Sequence, residues 1–111
     1  MDEESIVQTQ VERYNEHDLD GFCALYADDI EVYAFGRLEP ELRGKEAFRA
    51  RYRERFALPA LRARIETRIV QGSFVIDHEK VSGLPGEAVE RSVIAIYELE
   101  GGLIRRVTFI R

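Results

Sequence analysis

The side chain in this sequence best suited to acid–base chemistry is that of His78, because an imidazole changes protonation near neutral pH. It lies in the segment FVIDHEKVS, whose residues alternate in the manner of a β-strand. In that period His78 shares a face with Phe74 and Ile76, whereas its neighbour Asp77 points to the opposite face and does not pair with it directly. We predict His78 as a proton-transfer residue, with a structural histidine near the Gly83 turn as the competing interpretation.

Aromatic side chains provide the second sign of a functional site. Four of them project from inward-facing stripes of different predicted elements: Tyr14, Tyr52, Tyr97 and Phe109. Tyrosines in the wall of an apolar cavity suit a small, mostly apolar ligand with one or two oxygens. Tyr14 and Tyr52 are the predicted donors to a carbonyl or hydroxyl, which makes Tyr14 a second candidate catalytic residue. Arg91 shares a strand face with Tyr97 and is a candidate anion anchor. All of these aromatic residues could equally form a plain hydrophobic core.

The sequence contains no arrangement typical of a metal or nucleotide site. His17 and His78 are far apart in the chain, and Cys23 is the only cysteine, so no ligand spacing of the zinc kind is present. No G-x-S-x-G, P-loop or dinucleotide motif occurs. We therefore expect no metal and no cofactor, and we expect Cys23 to be a buried, unreactive thiol.

Charge is distributed unevenly along this chain of 111 residues. Residues 1–42 carry 12 acidic and 2 basic side chains, whereas residues 43–68 carry 9 basic and 3 acidic ones. The simplest interpretation is a solvated helix face and a strand, partly paired with the acidic N-terminal segment. An anionic ligand or a nucleic-acid surface are the alternatives, and the sequence pI of about 5.1 argues against nucleic acid.

The composition indicates the class of protein and its compartment. The chain is 45% hydrophobic and 33% charged, as in ordinary globular domains. No apolar run approaches the roughly 20 residues needed to cross a bilayer. The acidic start MDEES has no apolar stretch of the secretory kind. We expect a cytoplasmic protein that contacts neither membrane nor nucleic acid.

The hydrophobic period predicts a single α+β domain with its helices first. A first helix is predicted over roughly 3–16, a second helix capped by Asp18 and ended by Asp28-Asp29, a strand over 30–35, and a third helix over 45–56. Four strands follow at about 62–71, 73–81, 88–99 and 103–111, separated by glycine-containing turns. This order is typical of helices packed on one face of an antiparallel sheet.

The last two predicted strands carry apolar residues on both faces. Val93 and Tyr97 alternate with Ile94 and Ile96, and the final strand repeats the pattern. An antiparallel sheet with one solvated face shows a polar outer surface, and the helices cover only one side. The sequence therefore predicts a homodimer formed through the outer face of the sheet.

The stretch VERYNEHDLDGFCALYADDIEVYAF, at residues 11–35, together with VIDHEKVSGLPG and IAIYELEGGLIRRVTFIR, resembles the nuclear transport factor 2-like superfamily. The resemblance is closest to its SnoaL-like and ketosteroid-isomerase-like branch. It implies a cone-shaped fold, a curved antiparallel sheet wrapped by three N-terminal helices, with an apolar cavity and dimerisation through the sheet. Members include isomerases, polyketide cyclases, hydrolases and non-catalytic subunits, so fold alone decides no chemistry.

The isomerase branch implies three catalytic residues that this sequence lacks. Alignment through Asp18-Leu19-Asp20-Gly21 places its aspartate base on Ala34, its oxyanion tyrosine on Gln10 and its protonated aspartate on Ala95. We therefore expect a SnoaL-like pocket protein without ketosteroid isomerase activity. Its ligand would contact Gln10, Tyr14, Tyr52, Arg91, Tyr97 and Phe109. The alternative is a non-catalytic homodimeric interaction or carrier subunit with a packed interior.

Overall fold

The computed structural model describes residues 1–111 as three helices and six strands. The helices are α1 (Glu3–Asn15), α2 (Leu19–Cys23) and α3 (Lys45–Phe56). The Asp2 side chain accepts a hydrogen bond from the Ser5 amide at the start of α1, and Asp18 accepts one from the Gly21 amide at the start of α2. Both caps satisfy amides that have no partner within their helix, so the predicted role of Asp18 is confirmed.

The strands form one six-stranded sheet in the order β2-β1-β6-β5-β4-β3. They are β1 (Tyr26–Ala34), β2 (Leu42–Arg43), β3 (Arg62–Gln71), β4 (Phe74–Ser82), β5 (Arg91–Glu100) and β6 (Leu103–Ile110). Strands β3 to β6 form the predicted antiparallel meander. The sheet is not wholly antiparallel, because β1 pairs with β6 in parallel. This pairing joins segments far apart in sequence, which a local period does not report.

The second helix is shorter than the sequence predicts, and the first strand is longer. Helix α2 ends at Cys23 and β1 begins at Tyr26, so Asp28 and Asp29 lie within the strand and do not end the helix. The pairing of β1 with β6 is irregular between Tyr26 and Glu31. The two carboxylates point into solvent in this irregular part of the strand, so they are compatible with extended backbone there.

The helices cover one face of the sheet and enclose the main hydrophobic core. Val7 of α1, Phe22 of α2 and Phe48 of α3 are buried in one cluster with the inward side chains of β4, β5 and β6. Cys23 belongs to the same cluster as a free thiol, as predicted. None of the helices has the length and apolar character needed to cross a membrane.

The basic segment, residues 43–68, pairs partly with the acidic segment at residues 1–42. Four ion pairs join the two segments: Arg43 with Glu31, Lys45 with Asp28, Arg49 with Asp20 and Arg51 with Glu41. These pairs confirm the simplest interpretation of the charge pattern. They are largely solvent-exposed, and such pairs each contribute at most about 1 kcal/mol to stability.

Candidate functional site

A cavity lies between α1, α3 and the inner face of the sheet. Its volume is about 70 Å³, which is room for a few water molecules or a small group, since one water needs roughly 10–15 Å³. Eleven of the 17 lining residues are aliphatic or aromatic, and ten residues, four of them tyrosines among those eleven, bring polar groups to the wall. These ten are Gln10, Tyr14, Tyr26, Arg51, Tyr52, Arg55, Glu79, Arg91, Tyr97 and Arg111.

Glu79 is the only carboxylate in the cavity wall. The alternation of β4 brings it there, because Val75, Asp77, Glu79 and Val81 all face inward and are buried. Glu79 is 8% exposed and makes no hydrogen bond or ion pair. Burial raises its pKa to about 7, the negative charge of Asp77 adds to that rise, and the Arg68 guanidinium opposes it. A buried carboxyl that titrates near neutral pH is suited to accept and return a proton.

Asp77 differs from Glu79 because it has a partner. Its carboxylate is fully buried and accepts two hydrogen bonds from Arg68 on β3, at 2.7 and 2.9 Å. Arg68 also donates to the Gln8 side chain on α1. This bidentate pair ties β3 to β4 and to the first helix. Asp77 is therefore a structural carboxylate, whereas Glu79 is left without a counter-ion.

A hydrogen-bonded chain of three side chains lies in the wall of the cavity. The Gln10 amide donates to the Tyr97 hydroxyl at 3.1 Å, and the Tyr26 hydroxyl donates to the Gln10 carbonyl at 2.9 Å. Gln10 is thereby fixed in orientation. Because Tyr97 accepts from Gln10, its own hydroxyl proton remains able to point toward a ligand. Burial raises the pKa of Tyr97 well above its ordinary value, so it stays a neutral donor.

Tyr14 and Tyr52 bring two further hydroxyls to the cavity from α1 and α3. Burial raises the pKa of Tyr14 above its usual range and that of Tyr52 to about 12, while the Arg55 charge opposes the rise in both. Their rings meet edge to face with centroids 6.4 Å apart and pack against Phe22. The rings hold the hydroxyls in place, and each is a neutral hydrogen-bond donor at physiological pH.

Four arginines surround the mouth of the cavity: Arg51, Arg55, Arg91 and Arg111. Three of these arginines, with Glu41, Glu54 and Leu58, also line an outer basin of about 510 Å³ next to the cavity. Glu41 accepts from both Arg51 and Arg111, and Glu87 accepts twice from Arg91. Arg55 alone in this group has no carboxylate partner. The site therefore combines a buried carboxyl at the inside with an excess of positive charge at the mouth.

Six of the seven residues that the sequence predicts for the site line this one cavity: Gln10, Tyr14, Tyr52, Arg91, Tyr97 and Phe109. The seventh, His78, does not. It projects from the opposite face of β4, where its Nε2 lies 2.9 Å from the Ser92 hydroxyl. His78 lies outside the cavity for a physical reason. Phe74, Ile76 and His78 lie on the outer face of the sheet, and the helices cover the other one.

Sequence reasoning missed Glu79 and Arg55. The signal for Glu79 was present in FVIDHEKVS, since strand alternation places Val75, Asp77, Glu79 and Val81 on one face. The alternation alone does not show that this face is the buried one, because Phe74 and Ile76 make the other face apolar as well. Nothing in the sequence marked Arg55, which is one of several arginines at two-residue spacing on α3.

Comparisons with known proteins agree with this architecture. The family model described as SnoaL-like domain matches residues 7–107. No curated protein sequence matches this chain significantly. An uncharacterized cystatin-fold protein from Novosphingobium aromaticivorans superimposes with a TM-score of 0.88 and 28% identity, over 100% of this chain and 99% of that one.

Two further solved structures carry functional names. A candidate ketosteroid isomerase from Kribbella flavida has a TM-score of 0.80 and 18% identity, over 96% of this chain and 74% of that chain. A candidate polyketide cyclase from Sinorhizobium meliloti has a TM-score of 0.77 and 20% identity, over 95% of this chain and 93% of that chain. At these identities the likeness shows the fold alone. The family match shows more, and the chain belongs to the SnoaL-like domain family, within the nuclear transport factor 2-like fold.

Proposed function

We propose that this SnoaL-like domain binds a small, mostly apolar carbonyl compound and transfers a proton at the carbon next to the carbonyl. One observation carries the proposal: the Glu79 carboxyl is buried in the cavity wall without a hydrogen-bond partner and titrates near pH 7. Burial shifts the pKa of an ionisable group, and perturbed ionisable groups of this kind are concentrated at functional sites.

The geometry supplies each group that such a reaction needs. The Glu79 carboxylate takes a proton from the carbon, and the electrons of the C–H bond move to the carbonyl oxygen, which becomes an enolate. Hydroxyls of Tyr14, Tyr52 and Tyr97 are the available donors to that oxygen. The Glu79 carboxylic acid then returns the proton to the same or a neighbouring carbon. General acid–base catalysis of this kind contributes roughly 10²–10⁴-fold to a rate.

Relatives with candidate isomerase and cyclase names support a carbonyl substrate. The ketosteroid isomerase residues implied by the resemblance are absent, since Ala34, Gln10 and Ala95 occupy their aligned positions. In this chain the base is supplied by β4 and the donors by α1, α3 and β5. The proposed reaction is therefore of the same broad class but uses a different set of side chains.

The test is proton exchange in deuterated water. Small ketones, such as 2-pentanone and cyclopentanone, are incubated with the protein in ²H₂O, and loss of the signal from the hydrogens next to the carbonyl is followed by proton NMR. The wild-type protein is expected to accelerate exchange, and Glu79→Gln to lose at least about 100-fold of that acceleration.

The matched control is Glu90→Gln, which removes an exposed carboxylate that pairs with Arg64 and is not part of the cavity lining. It is expected to leave the exchange rate unchanged. Equal rates for the wild type and Glu79→Gln would contradict the proposed function. Tyr14→Phe, which removes one donor and keeps the ring, is expected to slow exchange without abolishing it.

A non-catalytic interaction subunit is the second candidate function, and the small size of the cavity favours it. The inner cavity of about 70 Å³ is well below the roughly 300–1,000 Å³ of ordinary ligand pockets. Under this alternative, native mass spectrometry of the protein purified from cells detects no bound small molecule, and no ketone exchanges. A co-purifying carbonyl compound would support the first proposal instead.

We further propose that two copies associate through the outer face of the sheet. Its apolar residues form neighbouring cross-strand pairs, with Ile76 opposite both Ile69 and Ile96, and Ile94 opposite both His78 and Ile110. Ile69 is 56% exposed and Phe74 is 42% exposed. Burying this face against a second copy would remove that apolar area from water.

A further inference from the structure

The arginines at the mouth of the cavity are not equivalent. Arg51 and Arg111 both donate hydrogen bonds to the Glu41 carboxylate. These hydrogen bonds, that of Arg111 above all, lower the pKa of Glu41, although its partial burial acts in the opposite direction. Arg91 is held by Glu87 through two hydrogen bonds, at 3.2 and 2.5 Å. Each of these three guanidinium groups already has a carboxylate partner in the protein.

Arg55 is the exception. It lines both the cavity and the outer basin, is half-buried, and forms no ion pair. Glu79 lines the same cavity but forms no ion pair with Arg55. A partly desolvated guanidinium without a counter-ion at the edge of a cavity is a ready site for an anion.

The positions of Glu79, Tyr14 and Arg55 suggest how a ligand would lie. Both Glu79 and Arg55 act on the Tyr14 hydroxyl, with opposite effects on its pKa. Glu79 and Tyr14 line only the cavity, whereas Arg55 lines both the cavity and the outer basin. A ligand that reaches Glu79 with its reacting carbon would have its other end beside Arg55.

We infer that the ligand is an oxo acid, whose carboxylate binds Arg55 at the mouth while its carbonyl end lies beside Glu79 and Tyr14. This inference rests on the proposed function and names the substrate class of the same site. A carboxylate is favoured over a phosphate, because one planar guanidinium matches it with two parallel hydrogen bonds. A phosphate dianion would call for a second unpaired cation, and the neighbouring arginines are already paired.

The experiment compares acids with their uncharged amides. 4-Oxopentanoate and 5-oxohexanoate are titrated into the ¹⁵N-labelled protein, beside 4-oxopentanamide and 5-oxohexanamide, and dissociation constants are taken from amide chemical-shift changes. The acids are expected to bind roughly tenfold more tightly than the amides, as one charge-assisted contact provides. Arg55→Gln is expected to remove that preference, and Arg55→Lys to retain part of it.

Arg53→Gln is the matched control, because Arg53 is an exposed arginine of the same helix that lines neither the cavity nor the basin. It is expected to keep the full preference for the acids. Equal affinity for acids and amides would overturn the inference and leave the proposed function standing. Loss of the preference in Arg91→Gln, with retention in Arg55→Gln, would overturn it in favour of Arg91. Absence of binding by every compound would count against the proposed function and the inference together.

Discussion

Two buried acidic side chains, two residues apart on β4, differ in whether they have a charged partner, and a single arginine makes that difference. Asp77 and Glu79 point to the same side of β4, and both are buried. Arg68 forms two hydrogen bonds with Asp77 and none with Glu79. Asp77 is therefore a compensated charge, whereas burial favours the protonated form of Glu79 at neutral pH and below. The proposed chemistry depends on this difference.

The raised pKa of Glu79 makes a prediction about stability. Its carboxyl titrates near pH 7 in the folded protein and near its ordinary 4.5 in the unfolded chain. Between these values the folded state binds more protons, so the contribution of Glu79 to the free energy of unfolding is present below about pH 4.5 and lost as the pH rises through about 7. The full loss is about 3 kcal/mol.

Urea denaturation across this pH range tests the prediction. Glu79→Gln lacks the titrating group. The free energy of unfolding of this variant, relative to that of the wild type, is therefore expected to increase by up to about 3 kcal/mol between pH 4.5 and pH 8. Glu90→Gln is the control and is expected to run parallel to the wild type. A constant difference between Glu79→Gln and the wild type at all pH values would contradict the raised pKa.

At the scale of elements, the local period predicted most of the helices and strands but not which face of β4 is inside. Val75 and Val81 make one face apolar, and Phe74 and Ile76 do the same for the other. A period of two therefore does not distinguish a cavity lined by Glu79 from one lined by His78. The helices decide, since they cover the face that carries Val75, and that contact is long-range.

Other differences from the sequence prediction also depend on contacts between distant segments. Parallel pairing of β1 with β6 is invisible in either strand alone. The aromatic stripes were predictable, because Tyr14, Tyr52 and Tyr97 recur at the spacing of their own helix or strand. The lack of a carboxylate partner for Arg55 was not predictable, because it depends on which carboxylates other elements place beside the neighbouring arginines.

The end of β4 contains a close contact that constrains one glycine. Gly83 has a φ of +82°, and a Cβ at that position would lie 2.1 Å from the Ala60 carbonyl oxygen. Gly86 has a similar φ of +73°, but no atom lies within 4 Å of the place where a Cβ would be added. Gly86→Ala is expected to cost about 1 kcal/mol from backbone strain, and Gly83→Ala about 3 kcal/mol because the segment before β3 must also shift.

Thermal unfolding of the two variants measures the difference. Since both substitutions place alanine at a positive φ, the excess loss in Gly83→Ala isolates the contact with Ala60. Equal melting temperatures for the two variants would show that β4 does not pack against Ala60 in this way.

At the scale of the whole molecule, the outer face of the sheet predicts self-association. Ile96 lies near the middle of that face, opposite Ile76 on β4 and Thr108 on β6. A charge placed there would be buried in the proposed dimer without a partner, which is costly. Ile96→Glu is therefore expected to convert a dimer into a monomer.

Analytical ultracentrifugation tests the dimer. The wild type is expected to sediment with twice the 12.8 kDa chain mass, and Ile96→Glu with the mass of one chain. Val89→Glu is the control, because Val89 is 78% exposed and precedes β5 outside the proposed interface. A monomeric wild type at micromolar concentration would contradict the proposed assembly.

The most direct test of the account is the titration of Glu79 itself. Carbon-13 NMR of the labelled protein follows the side-chain carboxyl from about pH 4 to about pH 9, with the signal assigned by its absence in Glu79→Gln. We predict a midpoint near 7, shifted downward in Asp77→Asn because the neighbouring negative charge is removed. A midpoint near the ordinary 4.5 would mean that the carboxyl is hydrated or paired in solution, and it would remove the basis for Glu79 as the proton-transfer group.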